Sequence, residues 1–176
     1  RYCVTCNSCW RSIIEAGALA CDNNPKVGEP DEHFVAPPAV TSRRHVVIIG
    51  TGVAALEAAH TAAARGHKVT VLGDHDAFGG KTRLHAQMPG GENLSSVYDY
   101  QCLKAQQLGV KFELGRQARI EDVLSRDPDV VLLATGSRSA RPGSLPEDWF
   151  AQGLIPSLLD MAKQLTQGMG RAPGRA

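Results

Sequence analysis

One run of twelve residues constrains this chain more than any other: Val46-Val47-Ile48-Ile49-Gly50-Thr51-Gly52-Val53-Ala54-Ala55-Leu56-Glu57. Four β-branched residues in a row predict a buried strand, the glycines a tight turn, and the residues beyond them the opening of a helix. A βαβ unit that begins this way binds the diphosphate of a dinucleotide. Gly50 permits the turn, and Gly52 lets a pyrophosphate approach the backbone. Ala55 stands where a third glycine is usual, a place that requires only close helix–strand packing. The helix beginning at Val53 aims its free N–H groups and its dipole at the phosphates.

The rest of the nucleotide unit follows in order. An alanine-rich helix is expected from Val53 to Arg65, closed by Gly66 as its C-cap, and a second strand from His67 to Leu72. An acidic residue at the end of such a strand normally hydrogen-bonds the ribose. Here Gly73 takes that place, so the next residue, Asp74, is the candidate ribose contact. The pair Gly79-Gly80 predicts a loop passing close to a cofactor, with Lys81 as a candidate to neutralise pyrophosphate. Leu84 to Pro89 reads as irregular. Asn93 reads as the N-cap of a helix whose inner face is Leu94, Val97, Tyr98 and Leu108 and which ends at Gly109. Cys102 on that helix reads as a buried, inert thiol. A third strand is expected from Val110 to Leu114, then a short irregular or helical piece from Ala118 to Leu124. Asp129-Val130-Val131-Leu132-Leu133-Ala134-Thr135-Gly136 is an apolar strand running into a small-residue turn. Parallel strands that end in such turns at one edge form a ligand crevice there. A loop marked by Pro142, Pro146 and Pro156 and an amphipathic helix from Ser157 to Leu165 complete the chain.

Cysteine usage is lopsided. Cys3, Cys6, Cys9 and Cys21 crowd the first stretch, and Cys102 stands alone. Three thiols at two-residue gaps, with a fourth arriving after a short helix from Trp10 to Ala18, suit one inorganic centre, with Ile13 and Ile14 turned inward. Four thiolates hold either a four-iron cluster or a structural zinc. Three close cysteines with a remote fourth favour the cluster, because zinc ribbons offer two separated pairs. Thr5 and Asn7 are placed to donate backbone N–H groups to cluster sulfurs, and Trp10 to cover them. From Lys26 to Arg44, with Pro30, Pro37 and Pro38, the chain reads as an extended surface connector.

Bulk properties exclude several alternatives. The net charge of +1 and the lack of a basic stripe with interleaved aromatics argue against nucleic acid as a partner. No apolar run reaches the roughly 18 residues of a membrane span, and no signal peptide is visible, so a cytoplasmic protein without a membrane partner is expected. His45, His60, His67, His75 and His85 are scattered, with no hydrolytic triad among them. The chain opens within a motif and its tail reads as a linker, which suggests the middle of a larger enzyme. The expected organisation is a cluster segment and connector over 1–44, a Rossmann-like domain over 45–145, and a linker and helix over 146–176.

The cysteine run followed by Asn24-Pro25, the GxGxxA turn, the paired glycines and Ala134-Thr135-Gly136, in this order, resemble one family. It is the iron–sulfur flavoproteins that include trimethylamine dehydrogenase, 2,4-dienoyl-CoA reductase and the N-methylproline or betaine demethylases. The resemblance implies an α/β fold: a Rossmann-like FAD/NAD(P)-binding three-layer half-domain preceded by a cysteine-rich iron–sulfur loop segment. It implies that Cys3, Cys6, Cys9 and Cys21 hold a 4Fe-4S cluster. That cluster takes electrons one at a time from FMN in a TIM barrel outside this stretch. Gly50, Gly52, Val53, Ala54, Lys81, Ala118, Ala134, Thr135 and Gly136 match the positions that hold FAD or ADP. Gly80, Ala55 and Asp74 join them from the residue patterns above. An electron-transfer flavoprotein or NAD(P)H is the implied electron partner. Two departures favour an amine dehydrogenase or N-demethylase parent: Gly73 in place of the acid, and the short gap between Cys6 and Cys9. The alternatives are a zinc-stabilised ADP-binding module or a segment of a dienoyl-CoA or enoate reductase.

Overall fold

The computed structural model describes residues 1–29, 32, 38–137, 140 and 142–169 of the 176. Helix α1 (Ser8–Ala16) lies in the cysteine segment. Strands β1 (His45–Ile49), β2 (Lys68–Leu72), β3 (Lys111–Glu113) and β4 (Val130–Leu133) form one parallel sheet in the order β3-β2-β1-β4. Helices α2 (Val53–Ala64), α3 (Gly80–Ala86), α4 (Ser95–Gln107) and α5 (Ile120–Leu124) connect them, and α6 (Glu147–Ala151) and α7 (Leu158–Met169) follow. The register sets Ile48 opposite both Val71 and Leu132, and Val71 opposite Phe112.

The unbroken apolar run of β1 is explained by its central place. Val46 and Ile48 face a core built with Ala55 and Ala59 of α2, Ala105 of α4, Val69, Val71 and Val110. Val47 points the other way and packs with Leu72 and Val123 of α5. A parallel strand covered on both faces must be apolar at every position. Each such aliphatic side chain contributes roughly 1.5–3 kcal/mol relative to exposure. The alanines of α2 keep its core face thin, so the helix lies close against the sheet. Strand β4, Val-Val-Leu-Leu, is as apolar as β1, but it occupies the sheet edge, and Val130, Val131 and Leu133 remain exposed.

Three local expectations are corrected. Asn93 is not an N-cap: it sits inside a 3-10 turn, Glu92–Leu94, and α4 starts directly from Leu94. The buried face of α4 is Ser96, Gln101 and Ala105, and Leu108 is exposed. The paired glycines are not a loop, because Gly79 in a left-handed conformation caps α3, which runs through Leu84 to Ala86 where an irregular stretch was expected. The expected strands, the long helix α2 and a C-terminal helix are present, with ends shifted by a few residues. Of the surface connector, Pro30 and Pro37 lie outside the described residues, as does the tail from Gly170. No helix among the described residues is long and apolar enough to cross a membrane.

Candidate functional site

The glycine turns meet at the C-terminal edge of the sheet. Gly50, with a φ of 124°, turns the chain out of β1. A Cβ there would overlap the carbonyl oxygen of Ala134, just past β4. Gly79 N–H donates to Thr51 O at 2.9 Å. A Cβ on Gly80 would sit 3.2 Å from Gly52 Cα, so the two glycine turns touch backbone to backbone. Lys81 Nζ reaches across to the turn after β4, donating to Ser137 O at 2.6 Å and lying 2.9 Å from Ser137 Oγ. The three sequence motifs are therefore one assembled rim. Its Lys81 is committed to Ser137, a contact that no sequence pattern signalled.

Gly52 differs from Gly50. Its φ of −74° and ψ of 175° suit any residue, and a Cβ there would meet nothing within 4 Å. Nothing inside the protein requires glycine at 52. Gly52 also gives α2 no side-chain cap, which leaves the start of the helix open to an anion. Ala55, one turn further, is fully buried against the sheet. Thr135 and Gly136 are exposed beyond β4, with nothing near Gly136.

The end of β2, where an acid is usual in such folds, is unusual here. Gly73 is buried, and a Cβ there would overlap the Thr51 methyl and lie 3.2 Å from Leu114 Cδ2. Space that a longer side chain would need belongs to Thr51. Asp74 points to solvent, 3.8 Å from His75 Nε2. Beside it a hollow of about 270 Å³ is lined by Leu72, Leu114, Arg116 and Ala118, with Glu113, Asp122 and Arg126 on its wall. The hydrogen bond from Arg126 holds the Glu113 carboxyl below its ordinary pKa, and the Arg119 backbone N–H does the same for Asp122. A larger hollow of about 530 Å³ lies between Val40, Arg44, Arg65 and His67. It sits at the opposite, N-terminal edge of the strands and is remote from every motif.

The cysteine segment is built differently. All five cysteines of the chain are free thiols, with Cys3 and Cys6 exposed and Cys9 and Cys21 half-buried. Thr5 and Asn7 are both left-handed, at φ 57° and 59°, and kink the loop on either side of Cys6. Such a φ is costly for a β-branched residue. Thr5 N–H donates to Cys3 Sγ at 3.3 Å, and Asn24 N–H to Cys21 Sγ at 3.4 Å. Among the described residues no three His, Cys, Asp or Glu side chains stand close enough together to hold a metal ion. The donor chemistry fits a thiolate centre: four unpaired thiols on one short segment, two of which accept backbone N–H groups. Helix α1 buries none of its residues, which corrects the inward placement of Ile13 and Ile14; Trp10 too is exposed.

Polar contacts, unforeseen from the sequence, join this segment to α2 and α4. Asn23 and Ser96 are buried, at 2% and 1% exposure. Tyr2 N–H donates to Ser96 Oγ, and Ser96 Oγ donates to Tyr2 O, both at 2.9 Å. Asn23 Nδ2 donates to Tyr2 O at 2.8 Å and to Ser96 Oγ at 3.2 Å. Arg1 pairs with Glu57 of α2 at 2.9 Å and stacks over Tyr100, 4.4 Å from the ring centre. Gln101 Nε2 donates to Glu57 at 2.8 Å, and His60 Nε2 makes an ion-pair contact with it at 3.0 Å. Burial raises the Glu57 pKa, but His60, Gln101 and Arg1 outweigh it and bring it down to about 2. Nothing in the sequence set Ser96 and Gln101 apart, because the exposed face of α4 also carries polar residues, Asp99, Gln106 and Gln107.

Comparison with known proteins agrees with this architecture. The model of the pyridine nucleotide-disulphide oxidoreductase family matches residues 44–171. The chain belongs to the pyridine nucleotide-disulphide oxidoreductase family. Among curated members of known sequence, it is 37% identical over 139 residues to a probable N-methylproline demethylase of Rhizobium meliloti (strain 1021), covering 77% of this chain and 20% of that protein. A 2-naphthoyl-CoA reductase in complex with 2-naphthoyl-CoA superposes with a TM-score of 0.79 at 26% identity, over 93% of this chain and 24% of that one. Histamine dehydrogenase from Rhizobium sp. 4-9 superposes with a TM-score of 0.72 at 25% identity, over 88% and 25%. The chain spans about a fifth of the length of the curated relatives it matches. The parallel sheet and its helices are the Rossmann-like FAD/NAD(P)-binding fold of this oxidoreductase family.

Proposed function

We propose that this chain is the electron-transfer segment of an iron–sulfur flavoprotein oxidoreductase whose parent enzyme is an amine dehydrogenase or N-demethylase. Gly52 carries the nucleotide half of this reading. It is a glycine that neither backbone strain nor a neighbouring atom demands, at the uncapped start of α2. A bound diphosphate explains both facts. FAD and ADP share the adenosine diphosphate that this rim fits. Gly50 and Gly52 admit the phosphates, Val53 and Ala54 offer N–H groups, and Lys81 with Ser137 braces the rim at the turn after β4. Ala118 borders the hollow suited to the adenine end.

A 4Fe-4S cluster held by Cys3, Cys6, Cys9 and Cys21 would supply one-electron transfer. The chain's own task is to present the four thiolates and to donate the Thr5 and Asn24 N–H groups to sulfur, bonds that tune such a centre's potential. An FMN-bearing TIM barrel, on the same parent chain or a partner subunit, is the proposed electron source. An electron-transfer flavoprotein or NAD(P)H is the proposed electron partner beyond it. Four free thiols suit the reducing cytoplasm. The similarity to 2-naphthoyl-CoA reductase favours a second reading, in which the parent reduces a conjugated acyl-CoA or enoate.

The test is anaerobic purification, a visible spectrum, and extraction with chromatography of bound nucleotide. The expected result is a brown absorbance bleached by dithionite, with ADP or FAD in the extract. A Gly52→Leu variant is expected to lose the nucleotide and keep the brown colour. A colourless protein with stoichiometric zinc overturns the electron-transfer reading. Nucleotide retained by Gly52→Leu overturns the diphosphate assignment.

A further inference from the structure

The cysteine segment lacks an apolar anchor, since α1 has no buried residue. Its order comes from hydrogen bonds placed immediately beside the thiols. Tyr2, next to Cys3, is bound through both its N–H and its carbonyl to one hydroxyl, that of Ser96 on α4. Asn23, two residues after Cys21, donates to that same carbonyl and that same hydroxyl. Arg1 then ties the Asn23 carbonyl, at 2.5 Å, to the Glu57 carboxylate on α2. The start of α1 is stitched to the same turn, because Ser8 Oγ donates to Asp22 Oδ2 at 2.5 Å and Ala20 N–H to Ser12 Oγ at 3.0 Å. The stretches bearing Cys3, Cys9 and Cys21 are thus connected to one another chiefly through Asn23 and its neighbours. They are connected to the body of the protein through Ser96 and Glu57.

We propose that Ser96 and Glu57 are positioning residues for the thiol centre: through Tyr2, Asn23 and Arg1 they fix the main chain beside Cys3 and Cys21 in one register on α4 and α2, the register from which these two sulfurs would join Cys6 and Cys9 on an inorganic group. This rests on the reading of the segment as a cluster site. Ser96 is suited to the task because its one hydroxyl is saturated, accepting from Tyr2 and Asn23 and donating to Tyr2. Glu57 is suited because it stays charged: Arg1, Gln101 and His60 converge on its carboxylate. Neither residue touches a thiol, so their effect runs through backbone placement alone.

The test uses the full chain isolated anaerobically, as wild type and as Ser96→Ala and Glu57→Gln. Val123→Ala, a core truncation on the opposite face of the sheet, serves as the stability control. Iron and acid-labile sulfide per chain, iron release to a chelator, the reduction potential and bound nucleotide are measured for each. Ser96→Ala and Glu57→Gln are expected to release iron roughly 10- to 100-fold faster, the range for residues that orient metal ligands. Their potential shifts and their nucleotide is retained. Val123→Ala is expected to lower Tm and leave iron release and potential at the wild-type values. Wild-type release and potential in both positioning variants overturn the proposal. So does faster release in Val123→Ala that matches its loss of Tm, because stability alone then sets retention. If Ser96→Ala does not fold, Glu57→Gln decides, since its carboxylate is half-exposed and its replacement isosteric. A wild-type chain without iron and sulfide overturns the cluster reading itself, and is distinguished from the other outcomes by the wild-type analysis alone.

Discussion

The two halves of this molecule are held together by opposite physics. The sheet region, from β1 to β4, is organised by apolar burial on both faces of β1, where Ile48 is 0% exposed. The cysteine segment exposes its apolar residues, Ile14 at 68%, and buries polar ones, Asn23 at 2%. Burial of hydrocarbon is non-directional and tolerates small shifts. A buried hydrogen-bond network fixes one geometry and fails when one member is missing, and this one is already stretched, since Asn23 Oδ1 and Gln101 Oε1 are buried without a hydrogen-bond partner among the described residues. A rigid scaffold for a flat cofactor can be built the first way. A segment proposed to present four thiols to one inorganic group gains from the second.

Four changes break or sharpen that contrast. Ile48→Ala removes the best-buried side chain of the central strand and is expected to cost about 2–5 kcal/mol. Thermal unfolding checks it, and the segment unfolds with the sheet because α2 and α4 carry it. Asn23→Ala leaves Tyr2 O and the Ser96 hydroxyl short of a donor and is expected to cost about 1–3 kcal/mol. Here the loss is local: hydrogen exchange rises in the cysteine segment and stays unchanged in β1. The third is acid. Glu57 is held at about 2 from an ordinary 4.5, so its contribution is complete above about pH 4.5 and disappears as pH falls toward 2. Hydrogen exchange across that window is expected to rise first in the segment, and Glu57→Gln removes the dependence. The smallest effect belongs to Ile14→Ser on the exposed face of α1, expected within about 0.5 kcal/mol in Tm-derived stability.

The sheet half was readable from the sequence because its signals are local. A β-branched run, a glycine turn and an alanine helix each declare themselves within a few residues, and their order fixes the crossover. The assembled rim was readable as parts: Gly50, Gly79 and Ala134 belong to separate motifs, and only the register of β1 with β2 and β4 brings them into contact. The Lys81–Ser137 bridge joins residues far apart in the chain, and nothing local marks it. The face of α1 was misread because an amphipathic pattern states that an apolar side exists, not what covers it. The inner face of α4 departs from the stripe of Leu and Tyr that its sequence suggests. The buried positions were instead polar ones, Ser96 and Gln101, whose partners sit on Tyr2, Asn23 and Glu57. Asn93 is a favourable cap residue, but the 3-10 turn around it delivers the chain into α4 without one.

The packing of Gly73 against Thr51 has a consequence for how this crevice can change over generations. Thr51 lies between Gly50 and Gly52 in the turn after β1, and its methyl fills the space beside Gly73. A lineage that acquires Glu at 73 first meets a clash, and one that loses the Thr51 methyl first leaves a small void. A carboxylate at position 73 therefore requires the Thr51 methyl to move aside or be lost, and Leu114 Cδ2, 3.2 Å from a Cβ there, to give way. Thr51→Ser removes that methyl and opens the space beside position 73.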